Sequence, residues 1–86
     1  MKFAYRLEET DRDEHGNWWP KLCWADGMIS ESQGRIEGSE TFESARLRVG
    51  RWNWNHGISG QDAEDIIFSC YQRIATLTER SELWNS

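Results

Sequence analysis

Arg46, Arg48 and Arg51 are interleaved with Leu47, Trp52, Asn53, Trp54, Asn55 and His56, so that three cations and no acid fall within eleven consecutive residues. These side chains act by contact. Arginine on phosphate oxygens, tryptophan stacked on bases and asparagine at base edges would make 46–56 a nucleic-acid-binding segment. Trp and Arg are also the types most enriched among the side chains that carry binding energy between proteins. On a helix, Leu47, Arg51 and Trp54 recur at offsets of four and three and form a stripe, with Arg48 and Asn55 beside it. Leu47, Arg48, Arg51, Trp54 and Asn55 are therefore the candidate partner-binding residues. A homodimer seam fits the same stripe, because a thin core gains from covering it. The structural alternative is that Trp52 packs inside while the arginines pair with Glu40, Glu43 or the acids of the first loop.

Net charge orders these readings. The chain carries −5 overall, a field that opposes a polyanion and places a protein partner first and nucleic acid second. Glu8, Glu9, Asp11, Asp13 and Glu14 form an acidic run broken only by Arg12. Such residues can imitate DNA phosphates, but the modest net charge fits a solvated loop and a hydrophilic surface better. The same run lacks the glycine and closing bidentate glutamate of a calcium loop. His15, Cys23, His56 and Cys70 lack the close pairs from which a zinc site is built. Gly34-Arg35-Ile36-Glu37-Gly38 is not a phosphate loop. Neither cysteine lies in an activating motif, and both have apolar neighbours, so they are expected as small buried hydrophobes. The expectation is a non-enzymatic chain with no catalytic residue, no metal and no cofactor.

The elements that must position the stripe follow from periodicity. Ala63, Ile66, Ile67, Cys70, Ile74 and Leu77 predict an amphipathic helix from Gln61 to about Arg80, with Ser59 as N-cap and Asp62, Glu64 and Asp65 at the positive end of its dipole. Ser39 or Thr41 is a second N-cap, for a helix from about Phe42 whose core face is Phe42, Ala45, Val49 and Trp52, and Asn55-His56-Gly57 ends it. Gly50 weakens this helix, and Leu47, Val49, Trp52 and Trp54 also fit a strand that slips at Gly50. The cap and the spacing favour the helix.

Before the helices, Phe3, Tyr5 and Leu7 alternate with Ala4, Arg6 and Glu8 and predict a strand from Lys2 to about Glu9 with one face inward. A turn-rich loop from Thr10 to Asn17 leads to an antiparallel partner, Trp18 to Ala25. There Trp18, Leu22 and Trp24 take one face and Trp19, Lys21 and Cys23 the other, and Pro20 requires an edge or a bulge. Asp26-Gly27 is a turn, with a short third strand at Met28–Glu31 or Arg35–Gly38. The fold class is α+β: an antiparallel sheet of two to three strands packed on two C-terminal helices.

Eighty-six residues suffice for one core, so a single domain over 1–86 is expected. With 37% hydrophobic and 29% charged residues the chain is globular and thin-cored, and six Trp, three Phe and two Tyr supply much of its burial. No apolar run is long enough for a signal peptide or membrane span, which predicts a cytoplasmic protein. The tail Ser81–Ser86 carries one more aromatic, Trp84, either folded back or free. Strand, strand, short strand, helix, helix is an order that recurs in small accessory proteins, antitoxins and phage-borne inhibitors among them. By that architectural analogy the chain is expected to be an inhibitor or adaptor acting on another protein.

Overall fold

A computed structural model of the chain describes residues 2–32, 34–37 and 41–85, with side chains through residue 79. The chain forms strands β1 (Phe3–Arg6), β2 (Lys21–Trp24) and β3 (Ile29–Glu31), then helices α1 (Phe42–Asn55) and α2 (Gly60–Asn85). The sheet is antiparallel in the order β1-β2-β3, with Ala4 opposite Cys23 and Cys23 opposite Ile29. This is the α+β arrangement of a three-stranded N-terminal sheet against two C-terminal helices.

Both helices pack on β1, and α2 also packs on β2. Ala4 and Cys23, paired across the sheet, are completely buried on the face beneath α2, where Ala63, Ile66 and Cys70 meet them. On the other side of the strand Tyr5 packs on a second cluster, in which Leu7, just past the strand, is buried. Phe3 and Tyr5 are half-buried, their rings 5.8 Å apart and Phe3 5.2 Å from Trp24. Small side chains at Ala4, Cys23, Ala63 and Cys70 let α2 lie close on the sheet, whereas the larger Tyr5 ring is met by Trp52 of α1 at 5.4 Å. Leu7, Trp18, Ile36, Ala45 and Val49 form this second cluster, on which Tyr5, Phe42 and Trp52 pack.

Three element boundaries depart from expectation. The first strand stops at Arg6 and is followed by a 3₁₀ turn over Glu9–Asp11. The second narrows to Lys21–Trp24, while Trp18 makes isolated bridges to Arg12 on one side and Ile36 on the other. Pro20 lies between these paired stretches, where the register shifts, in keeping with a bulge. The third strand is the Met28–Glu31 alternative. Of Arg35–Gly38, Ile36 contributes only its bridge to Trp18, and Gly38 lies outside the described residues.

α1 begins where expected: Thr41 Oγ1 accepts from the Ser44 N–H at 3.1 Å, while Ser39 lies outside the described residues. Gly57 follows its end with φ of 76°, the left-handed conformation that reverses the chain. Gly34 is needed for space, since a Cβ there would come within 2.6 Å of the Trp52 ring. For Gly50 no such reason exists: an added Cβ would meet nothing within 4 Å. Gly50→Ala is therefore expected to stabilise the fold by about 0.5–1 kcal/mol through helix propensity alone, read as a higher urea midpoint at unchanged slope.

α2 starts one residue early, with Ser59 Oγ accepting from the Asp62 N–H at 3.1 Å, and continues through Asn85 rather than ending near Arg80. At 1.5 Å per residue its length is about 39 Å, roughly three times that of a four-residue strand. The far end overshoots the sheet. Leu77, expected on the core face, is 46% exposed for this reason. The Trp84 side chain lies outside the described residues.

Candidate functional site

α1 is held by its inner face. Ala45 and Val49 are buried, Phe42 packs 5.6 Å from Trp18 with the rings tilted by 44°, and Trp52 meets Tyr5 edge-on at 5.4 Å. The polar anchor is Asn53, whose side-chain Oδ1 accepts from the Tyr5 N–H at 2.7 Å and whose Nδ2 donates to the Tyr5 carbonyl at 2.9 Å. Tyr5 turns these groups away from β2, so the Asn53 amide occupies the place of a fourth strand and closes that sheet edge. Reading 46–56 as a contact surface misses this role. The signal was present: Asn53 follows Val49 by four residues and so lies on the core side.

The outer face carries the stripe. Leu47 is 77% and Trp54 70% exposed, and Arg48, Arg51 and Asn55 are exposed beside them. All five candidate residues thus share one side of α1, and the strand alternative for this segment is excluded. Arg46 lies over the Phe42 ring at 5.7 Å. Among the described residues no ion pair or hydrogen bond engages Arg51.

The acidic run divides: Glu9 and Glu14 are exposed, as expected of a solvated loop, while Glu8, Asp11 and Asp13 make contacts within the fold. Asp11 accepts from Arg6 at 2.9 Å, with only 3% and 11% of the two side chains exposed, and also from the Glu8 N–H at 2.9 Å. Glu8 is 3.4 Å from Arg6 and accepts from the Tyr71 hydroxyl at 2.9 Å. Burial works against the Arg6 charge, but Asp11, Tyr71 and Glu8 together outweigh it and raise the guanidinium pKa. Burial and the bond to Glu8 likewise hold the Tyr71 phenol well above its ordinary range. Asp13 accepts from Trp19 Nε1 at 2.7 Å and from the His15 and Asn17 amides at 2.9 Å. The Trp19 bond above all lowers its pKa. These acids hold the loop to the sheet.

The zinc-type residues do not assemble. His15 is in the exposed loop, and His56 contacts the Tyr5 hydroxyl through Nε2 at 3.3 Å. Cys23 and Cys70 are free and buried between β2 and α2. Burial, with Cys70 beside it, pushes the Cys23 thiol up to about 11, so it is protonated and unreactive at neutral pH. Among the described residues no three His, Cys, Asp or Glu side chains converge to hold a metal.

A cleft of about 420 Å³ opens where the α1–α2 connection meets β1; His56, Asp62, Asp65 and Ser69 rim it over Phe3 and Ile66. No hydrogen bond links His56 to either aspartate, so these groups form no relay. Among the described residues no helix is long and apolar enough to cross a membrane.

Fold and surface together define a small α+β protein whose first helix grips the sheet edge with one side and presents a Trp/Arg/Leu stripe with the other. Comparison with models of known protein families, with curated proteins and with solved structures finds no match.

Proposed function

We propose that the chain is a small, non-enzymatic, cytoplasmic protein-binding domain, an inhibitor or adaptor of the accessory type that phages and mobile elements carry. Its contact surface is Leu47, Arg48, Arg51, Trp54 and Asn55. One observation carries this reading: two of the largest apolar side chains, Leu47 and Trp54, stand 77% and 70% exposed on a helix whose packing they do not serve. A tryptophan beside an arginine, flanked by further polar donors, is the composition of an interface hot spot.

The test is affinity capture from lysate of the native host, with nuclease treatment in parallel. The unmodified chain should retain one stoichiometric protein after nuclease, and the double variant Trp54→Ala/Arg51→Ala should lose it. Stability of that variant should stay within about 0.5 kcal/mol of the parent, because exposed side chains away from the core contribute little. A large stability loss, or undiminished capture, would sink the proposal.

The second reading is nucleic-acid binding by the same face, favoured by the exposure of Arg51 next to Trp54. It predicts affinity falling steeply with salt and an Arg48→Ala defect uniform across sequences. Salt-insensitive or absent binding to single- and double-stranded DNA and RNA would dispose of it.

A further inference from the structure

α2 has an outer face of its own that complements the stripe. Phe68 is 67% exposed, among exposed Gln61, Glu64, Asp65, Gln72 and Glu79. Along 60–79 the exposed charges are Asp62, Glu64, Asp65 and Glu79 against Arg73, whereas along α1 they are Arg46, Arg48 and Arg51 against Glu43. One helix therefore presents apolar side chains in a basic setting and the other an apolar side chain in an acidic one.

The two faces belong to neighbouring helices. Val49, Gly50 and Asn53 of α1 line one groove with Ile67 of α2. The connection between them is short and turns at Gly57.

We propose that the chain pairs with a second copy of itself, the Leu47/Arg51/Trp54 stripe of each copy lying on the Glu64/Asp65/Phe68 face of the other. A two-fold axis makes this contact twice, as an isologous interface requires. It covers Leu47, Trp54 and Phe68 of both copies. With the arginine stems, these six side chains supply on the order of 1,000 Å², the area at which a specific interface becomes plausible. The acidic α2 face also explains how a chain of net charge −5 meets its own copy without repulsion, since the contacting surfaces are of opposite sign. This inference rests on the stripe being a protein-binding surface, and it makes the second copy the occupant when no other target is present.

The experiment is sedimentation velocity on the full chain, from low to several hundred micromolar, at low and physiological salt. The unmodified protein is expected to dimerise reversibly, more weakly as salt rises. Arg51→Glu and Glu64→Arg should each weaken the dimer at least tenfold, because each places like charges opposite one another twice. An equimolar mixture of the two should restore it, since both halves of the mixed dimer then pair opposite charges. Both positions are exposed, and circular dichroism verifies folding; Phe68→Ser, weakening association at all salt concentrations, tests the apolar part independently. A chain monomeric throughout the series, a dimer indifferent to both reversals, or a mixture no more associated than its components would overturn the proposal. A monomer that still captures a different protein through Trp54 would overturn it and leave the protein-binding function standing. Rescue by mixing, together with capture undiminished in the Trp54→Ala/Arg51→Ala variant, would support the dimer and overturn that function.

Discussion

Asp11→Ala is expected to destabilise the fold by about 3 kcal/mol, a fall in Tm of more than about 10 °C for a chain of this length. The side chain performs three tasks at once. It pairs with Arg6 at 2.9 Å, approaches Lys21 at 3.9 Å, and closes the 3₁₀ turn by accepting from the Glu8 N–H at 2.9 Å. Removing it leaves a guanidinium 11% exposed whose Nε already has no partner, so a buried charge loses its main counter-ion. Glu8 and the Tyr71 ring, 3.4 and 5.7 Å away, soften the loss without replacing the carboxylate. The double variant Arg6→Leu/Asp11→Leu should recover part of the loss, because removing both charges abolishes the desolvation cost as well as the attraction. Thermal melts of single and double variants measure this. A double variant as unstable as the sum of its singles would show that Asp11 acts through the turn alone. Arg6, with its pKa raised, keeps its contribution below its unfolded pKa and loses it only as pH rises through the folded value, so the pair is intact at every neutral pH.

Asn53→Ala should cost about 2–3 kcal/mol, from two lost hydrogen bonds and a partly buried Tyr5 N–H and C=O left without partners. A second consequence is aggregation at high concentration, because the amide that blocks pairing to β1 is gone. Asn53→Asp separates the two bonds. The carboxylate still accepts from the Tyr5 N–H but faces the Tyr5 carbonyl, where Nδ2 had donated. That contact and burial raise the new carboxyl's folded pKa, so the variant is most stable below the unfolded value and loses stability as pH rises through the folded one. Urea unfolding at pH 4 and pH 7, each against the parent, should show the smaller deficit at pH 4. An equal deficit at both would mean that the donor half of the amide contributes nothing.

These two residues mark where sequence reading stops. Asp11 lies in a run of acids that composition presents as solvent-facing, and nothing local distinguishes it from Glu9 or Glu14. Only the return of the loop against β1 brings Arg6 to it. Asn53 is legible on the correct helix face, yet its partner lies 48 residues away on a strand edge. A sheet edge exists only once strand order is set. The division of β1 has a similar origin: alternation marks two sets of side chains, but only the close approach of α2 assigns it the set that holds Ala4.

By itself the sequence determined the element order, the caps at Thr41 and Ser59, the turn at Gly57, the inner faces of both helices and the outward stripe of Leu47, Arg51 and Trp54. All of these rest on contacts within a few residues or on a repeat of two or 3.6, which the chain carries whatever its tertiary partners. Tertiary structure decided which sheet face α2 covers, which acids are buried, which polar side chain closes the β1 edge and how far α2 projects beyond the sheet. Each of those depends on distances between segments remote in sequence, and such distances are set by packing, not by period.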